Sequence, residues 1–151
     1  MSALSGGAGA QAYLQGLAKK IQDAGLLRVG FLEGATYPDG TTVAEVAAKN
    51  EYGAAGVPMR PFFRTMVKSK KASWSTNVAN VLAVNNYDID KTWQLVGEKI
   101  TGQLRDSIRD WTTPPNSPDT IARKGFNKPL IDTGHMLNSA AYDYGVKNEP
   151  T

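Results

Sequence analysis

Apolar residues along this chain recur at two spacings, in steps of three and four over some stretches and in steps of two over others. From about Ala8 to Ala24, Leu14, Leu17, Ala18 and Ile21 keep helical spacing, and Gly25 is placed to end that helix. Leu26 to Glu33 is rich in apolar residues and reads as a strand, with Gly30 predicting a bulge or a close backbone neighbour. Pro38-Asp39-Gly40 marks a turn. Thr42 and Glu45 form a capping box for a short helix whose stripe is Val43, Val46 and Ala47. Pro58 and Pro61 disfavour helix before them, so residues 54–61 read as an irregular crossing. Pro61 then suits the first turn of the next helix.

That helix is expected to run to about Val84, with Phe63, Met66, Val67, Trp74, Val78, Val81 and Leu82 on its stripe. Asp88 or Asp90 can cap another over roughly 91–110, where Trp93, Val96, Ile100, Leu104 and Ile108 form a narrow stripe. Gly97 falls on that stripe and predicts a close neighbouring backbone; Gly102 is the second glycine inside the helix. Ser117-Pro118-Asp119-Thr120 reads as an N-cap with proline at the first helical position, and Gly125 ends the short helix that follows. Leu130 and Ile131 then lead into a sharp turn at Asp132-Thr133-Gly134, one helical turn, and a last strand. Gly134 permits a conformation closed to other residues. Asp132 and Thr133 can accept from backbone N–H groups ahead of them. Ala140, Tyr142 and Tyr144 share one face of the last strand.

This layout predicts an α+β fold, with a small mixed, mainly antiparallel sheet packed against two or three helices. The sheet is expected from the 26–33 and 138–147 strands, with the helices near 8–24, 62–84 and 91–110 against it. The domain reading is a flexible arm over 1–7, one domain over 8–147 and a flexible tail over 148–151.

Composition narrows the chemistry. The chain has 151 residues, 41% of them hydrophobic and 21% charged, which suits one globular core. No apolar run approaches 18 residues, so no membrane span or membrane partner is expected, and the first ten residues do not read as a secretory signal. With no cysteine there is neither a disulfide nor cysteine-ligated zinc, and the single His135 argues against a histidine metal site. No Gly-Lys-Ser/Thr or Gly-x-Gly-x-x-Gly segment offers a nucleotide cradle. No cofactor and no metal are expected.

Candidate chemistry is sparse. Asp132-Thr133-Gly134 after two apolar residues looks like the catalytic turn of a retroviral-type aspartic protease. Only 19 residues follow Asp132, however, and none repeats the apolar-glycine motif such a protease needs. His135 and Ser139 are four apart, within reach on a helix, with no recognisable oxyanion hole. The net charge is +3, and Arg60, Arg64, Lys68, Lys70 and Lys71 make the densest basic cluster. That pattern fits either a solvated helix face or a nucleic-acid contact. No catalytic residue is assigned.

Three pieces, in order, resemble a known family. They are Val43-Ala44-x-x-Ala47-x-x-Asn50-Glu51-Tyr52-Gly53 with Val57-Pro58-x-Arg60-Pro61-Phe62; Pro114-Pro115-Asn116-Ser117-x-x-Thr120-Ile121-x-x-Lys124-Gly125; and Pro129-Leu130-Ile131-Asp132-Thr133-Gly134-x-Met136-Leu137-x-Ser139. Together they resemble the tail-component proteins of tailed bacteriophages, which include tail-completion and neck proteins. The resemblance spans about residues 28–146 and is thin over 65–110.

It implies a structural virion protein rather than an enzyme: a ring at the head–tail junction or tail end, needed for tail completion or attachment. The implied partners are further copies of the chain, expected as a hexamer, and other neck and tail proteins such as the connector and tail tube. Genomic DNA could pass through the lumen. The implied location is the virion, after assembly in the host cytoplasm. On this reading Pro58, Arg60, Pro61 and Phe62 are the expected subunit interface, with Arg60 reaching a carboxylate or carbonyl of a neighbour, or else packing back on its own domain, for example on Glu51. Asp132, Thr133 and Gly134 are the expected structural turn. The alternatives are a DNA-binding packaging accessory protein and the aspartic protease built on Asp132.

Overall fold

The computed structural model describes residues 7–146. Along the chain lie α1 (Gly7–Asp23), β1 (Leu26–Phe31), α2 (Val43–Tyr52), α3 (Phe62–Val84), α4 (Ile89–Asp110), α5 (Pro118–Lys124), α6 (His135–Ser139) and β2 (Ala140–Val146). The chain mixes helix and strand, with helix dominant. The arm expected over residues 1–7 lies outside the described residues apart from Gly7, the first residue of α1. The tail expected over 148–151 lies wholly outside them.

The sheet is smaller and simpler than the mixed sheet expected. Among the described residues it consists of β1 and β2 alone, paired antiparallel, with Val29 opposite Tyr142 and Phe31 opposite Ala140. Opposed residues share a face. Ala140, Tyr142 and Tyr144 therefore stand beside Phe31, Val29 and Leu27. On the other face the Arg28 guanidinium donates to both Asp143 carboxylate oxygens, at 2.9 and 2.6 Å. The irregularity expected at Gly30 falls instead between Leu26 and Leu27. Gly30 pairs regularly with Ala141 and faces the Phe63 ring, 3.9 Å from where a Cβ would stand.

α4 is the element the others pack on, touching α3, α6 and both strands. Its buried face is Thr92, Val96, Gly97, Ile100, Thr101, Leu104 and Ile108, close to the predicted stripe, although Trp93 is only half-buried. Asp88 is its cap, accepting from Lys91 N at 3.0 Å. The neighbour that Gly97 admits is a side chain, not the backbone that was expected: a Cβ there would lie 2.4 Å from Cδ2 of Tyr142. Leu104 and Ile108 join Val43, Ala47, Phe62, Met66, Leu130, Met136 and Ala140 in one core.

α3 starts without a side-chain cap of its own, since Pro61 has no oxygen to offer. The cap comes from Glu51 at the end of α2. The residue is 5% exposed, and its carboxylate accepts from Phe63 N at 2.8 Å and Arg64 N at 3.1 Å. An anion at a helix N-terminus satisfies otherwise unpaired donors and meets the favourable end of the dipole. α3 turns back into α4 through Asn86 and Tyr87, both at positive φ.

The first helix departs from expectation. α1 forms where the periodicity places it, and Gly25 at φ 69° follows its end. It does not pack on the sheet, however. None of its residues is buried, and Tyr13, Leu14 and Ile21 are 60, 61 and 46% exposed. Among the described residues no helix is long and apolar enough to cross a membrane.

Candidate functional site

The three sequence pieces that carry the resemblance come together around one cleft of about 1450 Å³. Its walls are the loop before α3, the segment leading into α5, the turn before α6 and the loop between β1 and α2.

The loop before α3 is built by its backbone. Gly53, at φ 79°, leaves α2, and a Cβ there would lie 3.3 Å from Met59 N. Ala54 and Val57 exchange N–H···O bonds of 3.0 and 2.9 Å, which closes a tight turn. Arg60 N then donates to Asn50 O, and Phe62 N to Arg60 O at 2.8 Å. These bonds fix where Arg60 points. Its Nε donates to Pro114 O at 3.0 Å and its Nη2 to Pro115 O at 3.2 Å. The residue is 6% exposed, and burial works against its charge.

The expected interface set thus divides. Phe62 lies in the core at 1% exposed, and Arg60 is bound to carbonyls of its own chain rather than presented to a neighbour. Glu51 is not its partner. That carboxylate takes Arg64, whose Nε lies 2.7 Å from Oε1. Pro61 is half-buried, while Pro58 and Met59 remain exposed.

The second wall follows from Ser117, which caps α5 by accepting from Thr120 N, with Pro118 at the first helical position and Gly125 left-handed after the end. Asn116, just before the cap, is 8% exposed. Its backbone N donates to Asn127 Oδ1 at 3.1 Å, while its side-chain Nδ2 has no partner. On α5, Lys124 Nζ donates to Lys128 O at 2.7 Å and Arg123 reaches Asp132 at 3.2 Å. Partial burial lowers the Lys124 pKa, and Arg123 and Arg60 add to that against the pull of Asp132.

The third wall is the turn. Gly134, at φ 80°, opens α6, and Thr133 Oγ1 accepts from His135 N at 3.4 Å. Asp132 does not cap as expected; it holds Arg123 instead. The His135 ring bonds Thr36 O through Nε2 at 2.7 Å and lies 4.7 Å from the Tyr37 ring. Burial, followed by Asp132, raises the Tyr37 pKa. Ser139 Oγ donates to the His135 backbone oxygen, so the imidazole and this hydroxyl do not form a nucleophile–base pair.

Of the basic cluster, Arg60 belongs to the cleft and Arg64 to Glu51. Lys68, Lys70 and Lys71 are exposed on α3. Arg123 and Tyr37 also line the cleft with no motif to announce them, and Asn116, inside the second motif piece, has no role of its own in the sequence reading. Only the fold brings those positions together, although the N-cap at Ser117 and the turn at Pro38 had placed their loops correctly. No protein-family model, curated protein or solved structure matches the chain.

Proposed function

We propose that this chain is a structural virion protein of a tailed bacteriophage, of the tail-completion or neck type, with an α+β domain that assembles as a ring. The observation that supports this reading is the convergence of the three motif pieces on a single cleft. The first piece, residues 43–62, lies far along the chain from the other two, residues 114–125 and 129–139, yet all three border one surface, as a shared binding role would require. What they line is suited to contact rather than catalysis, because the charged groups there are held by carbonyls or by each other. Partners on this reading are further copies of the chain, the connector and the tail tube.

The experiment is sedimentation of the purified chain with negative-stain imaging, together with gold-labelled antibody on phage particles. A closed ring, expected as a hexamer, and label at the neck or tail end support the proposal. A chain that stays monomeric and is absent from particles overturns it. The alternative of a DNA-binding packaging accessory rests on the exposed Lys68, Lys70 and Lys71. It predicts duplex affinity that falls steeply between about 50 and 200 mM salt.

A further inference from the structure

Two cations of the cleft have only neutral hydrogen-bond partners. Arg60, 6% exposed, is bonded to the Pro114 and Pro115 carbonyls, and half-buried Lys124 to the Lys128 carbonyl. Both acids of the lining are already engaged. Asp132 holds Arg123, and Asp39 accepts from Thr41 N at 2.9 Å. Next to the carbonyls that hold Arg60, the Asn116 side-chain amide is buried with its N–H donors unused. A buried cation without a counter-ion and a buried donor without an acceptor are each costly, and one carboxylate would relieve both.

We infer that the cleft receives an extended acidic segment of a partner protein, with a carboxylate drawn to the end lined by Arg60, Asn116 and Lys124. Size favours a stretch of chain over a small anion. At about 1450 Å³ the space exceeds what a drug-sized ligand fills. The rim also offers Pro38, Pro58 and Pro115 as exposed apolar walls without N–H donors. Partial burial lowers the Lys124 pKa, Asp132 pulls against it and Arg123 and Arg60 add to it, so an incoming anion would further stabilise the charged form. The inference rests on reading this cleft as a contact surface and adds the chemistry of what enters it.

The test is an NMR titration of the full chain that follows the Asn116 side-chain amide and the Arg60 Nε–H, with sedimentation of the same samples. The probe is a blocked hexapeptide carrying two glutamates and a proline; its twin carries glutamines. The expected result is saturable shifts at both groups below about 1 mM peptide, weakening as salt rises. Lys124→Gln weakens binding about fivefold or more, and Asn116→Asp abolishes it. If a ring already fills the cleft with a neighbour's acid, the glutamate peptide dissociates the ring and its twin does not.

Equal effects from the glutamine twin overturn the inference. So does inorganic phosphate competing at the peptide's own concentration, which would mark a bare anion site. Neither shifts nor a change in size overturns it as well. A monomer that binds the peptide refutes the ring while keeping the acidic-segment site, and a ring indifferent to the peptide does the reverse.

Discussion

Gly97 and Gly102 lie on the same helix, and both lower its intrinsic helix propensity, yet they stand in opposite surroundings. A Cβ at Gly97 would lie 2.4, 2.6 and 2.8 Å from three ring atoms of Tyr142, two of them near the root of the side chain. The ring cannot yield without leaving the sheet face. A Cβ at Gly102 would meet nothing within 4 Å. Replacing glycine by alanine in a helix gains about 1 kcal/mol, and overpacking a core costs about 1–3 kcal/mol. Gly97→Ala is therefore expected to destabilise by up to about 2 kcal/mol net, and Gly102→Ala to stabilise by about 0.5–1 kcal/mol. Thermal melts of the two variants check this, and Gly97→Ala combined with Tyr142→Leu is expected to recover most of the loss. Melting shifts of the same sign for both single variants would refute the role given to Tyr142.

Among the elements, α3 depends most on a residue outside itself. Its first turn is capped by Glu51, whose carboxylate takes two backbone N–H groups and the Arg64 side chain. Glu51→Ala leaves those donors unpaired at a buried position and is expected to cost about 2–3 kcal/mol. Arg64→Ala should cost only about 0–1 kcal/mol, because that guanidinium is half exposed. Urea unfolding of the two variants separates cap from ion pair; equal losses would mean that the salt bridge, not the cap, holds this junction.

Local signals announced most of the element boundaries. Thr42, Asp88, Ser117 and Gly125 cap the helices they were expected to cap. Period and turn chemistry act within a few residues, so the sequence displays them. The partners of Glu51, Arg60 and Gly97 lie 12 or more residues away in the chain. Nothing local distinguishes an arginine bound for its own carbonyls from one bound for a neighbour. The same limit hid the cleft, whose lining residues become neighbours only when α5 and the turn before α6 meet the loop before α3.

At the scale of the whole molecule, every buried residue of the described chain belongs to the part from Val43 to Ala140. α1 contributes none, and its apolar side chains Tyr13, Leu14 and Ile21 lie largely in solvent. Without a packed face α1 relies on intrinsic helix propensity, which Gly9 and Gly16 lower. The apolar spacing that led to the expectation of packing was a true helix signal, but period says which face is apolar and not what covers it. The described contacts therefore predict that α1 and the rest of the chain unfold independently. Removing residues 1–24 is expected to leave the melting midpoint within about 3 °C of the full chain, less than one kcal/mol of lost packing would shift it. The near-ultraviolet circular dichroism of Trp93 and Trp111 should stay unchanged, and the helical signal should fall only by what α1 supplies. A drop beyond about 10 °C would mean that α1 is part of the folding unit, since it corresponds to several kcal/mol of packing that the described contacts do not contain.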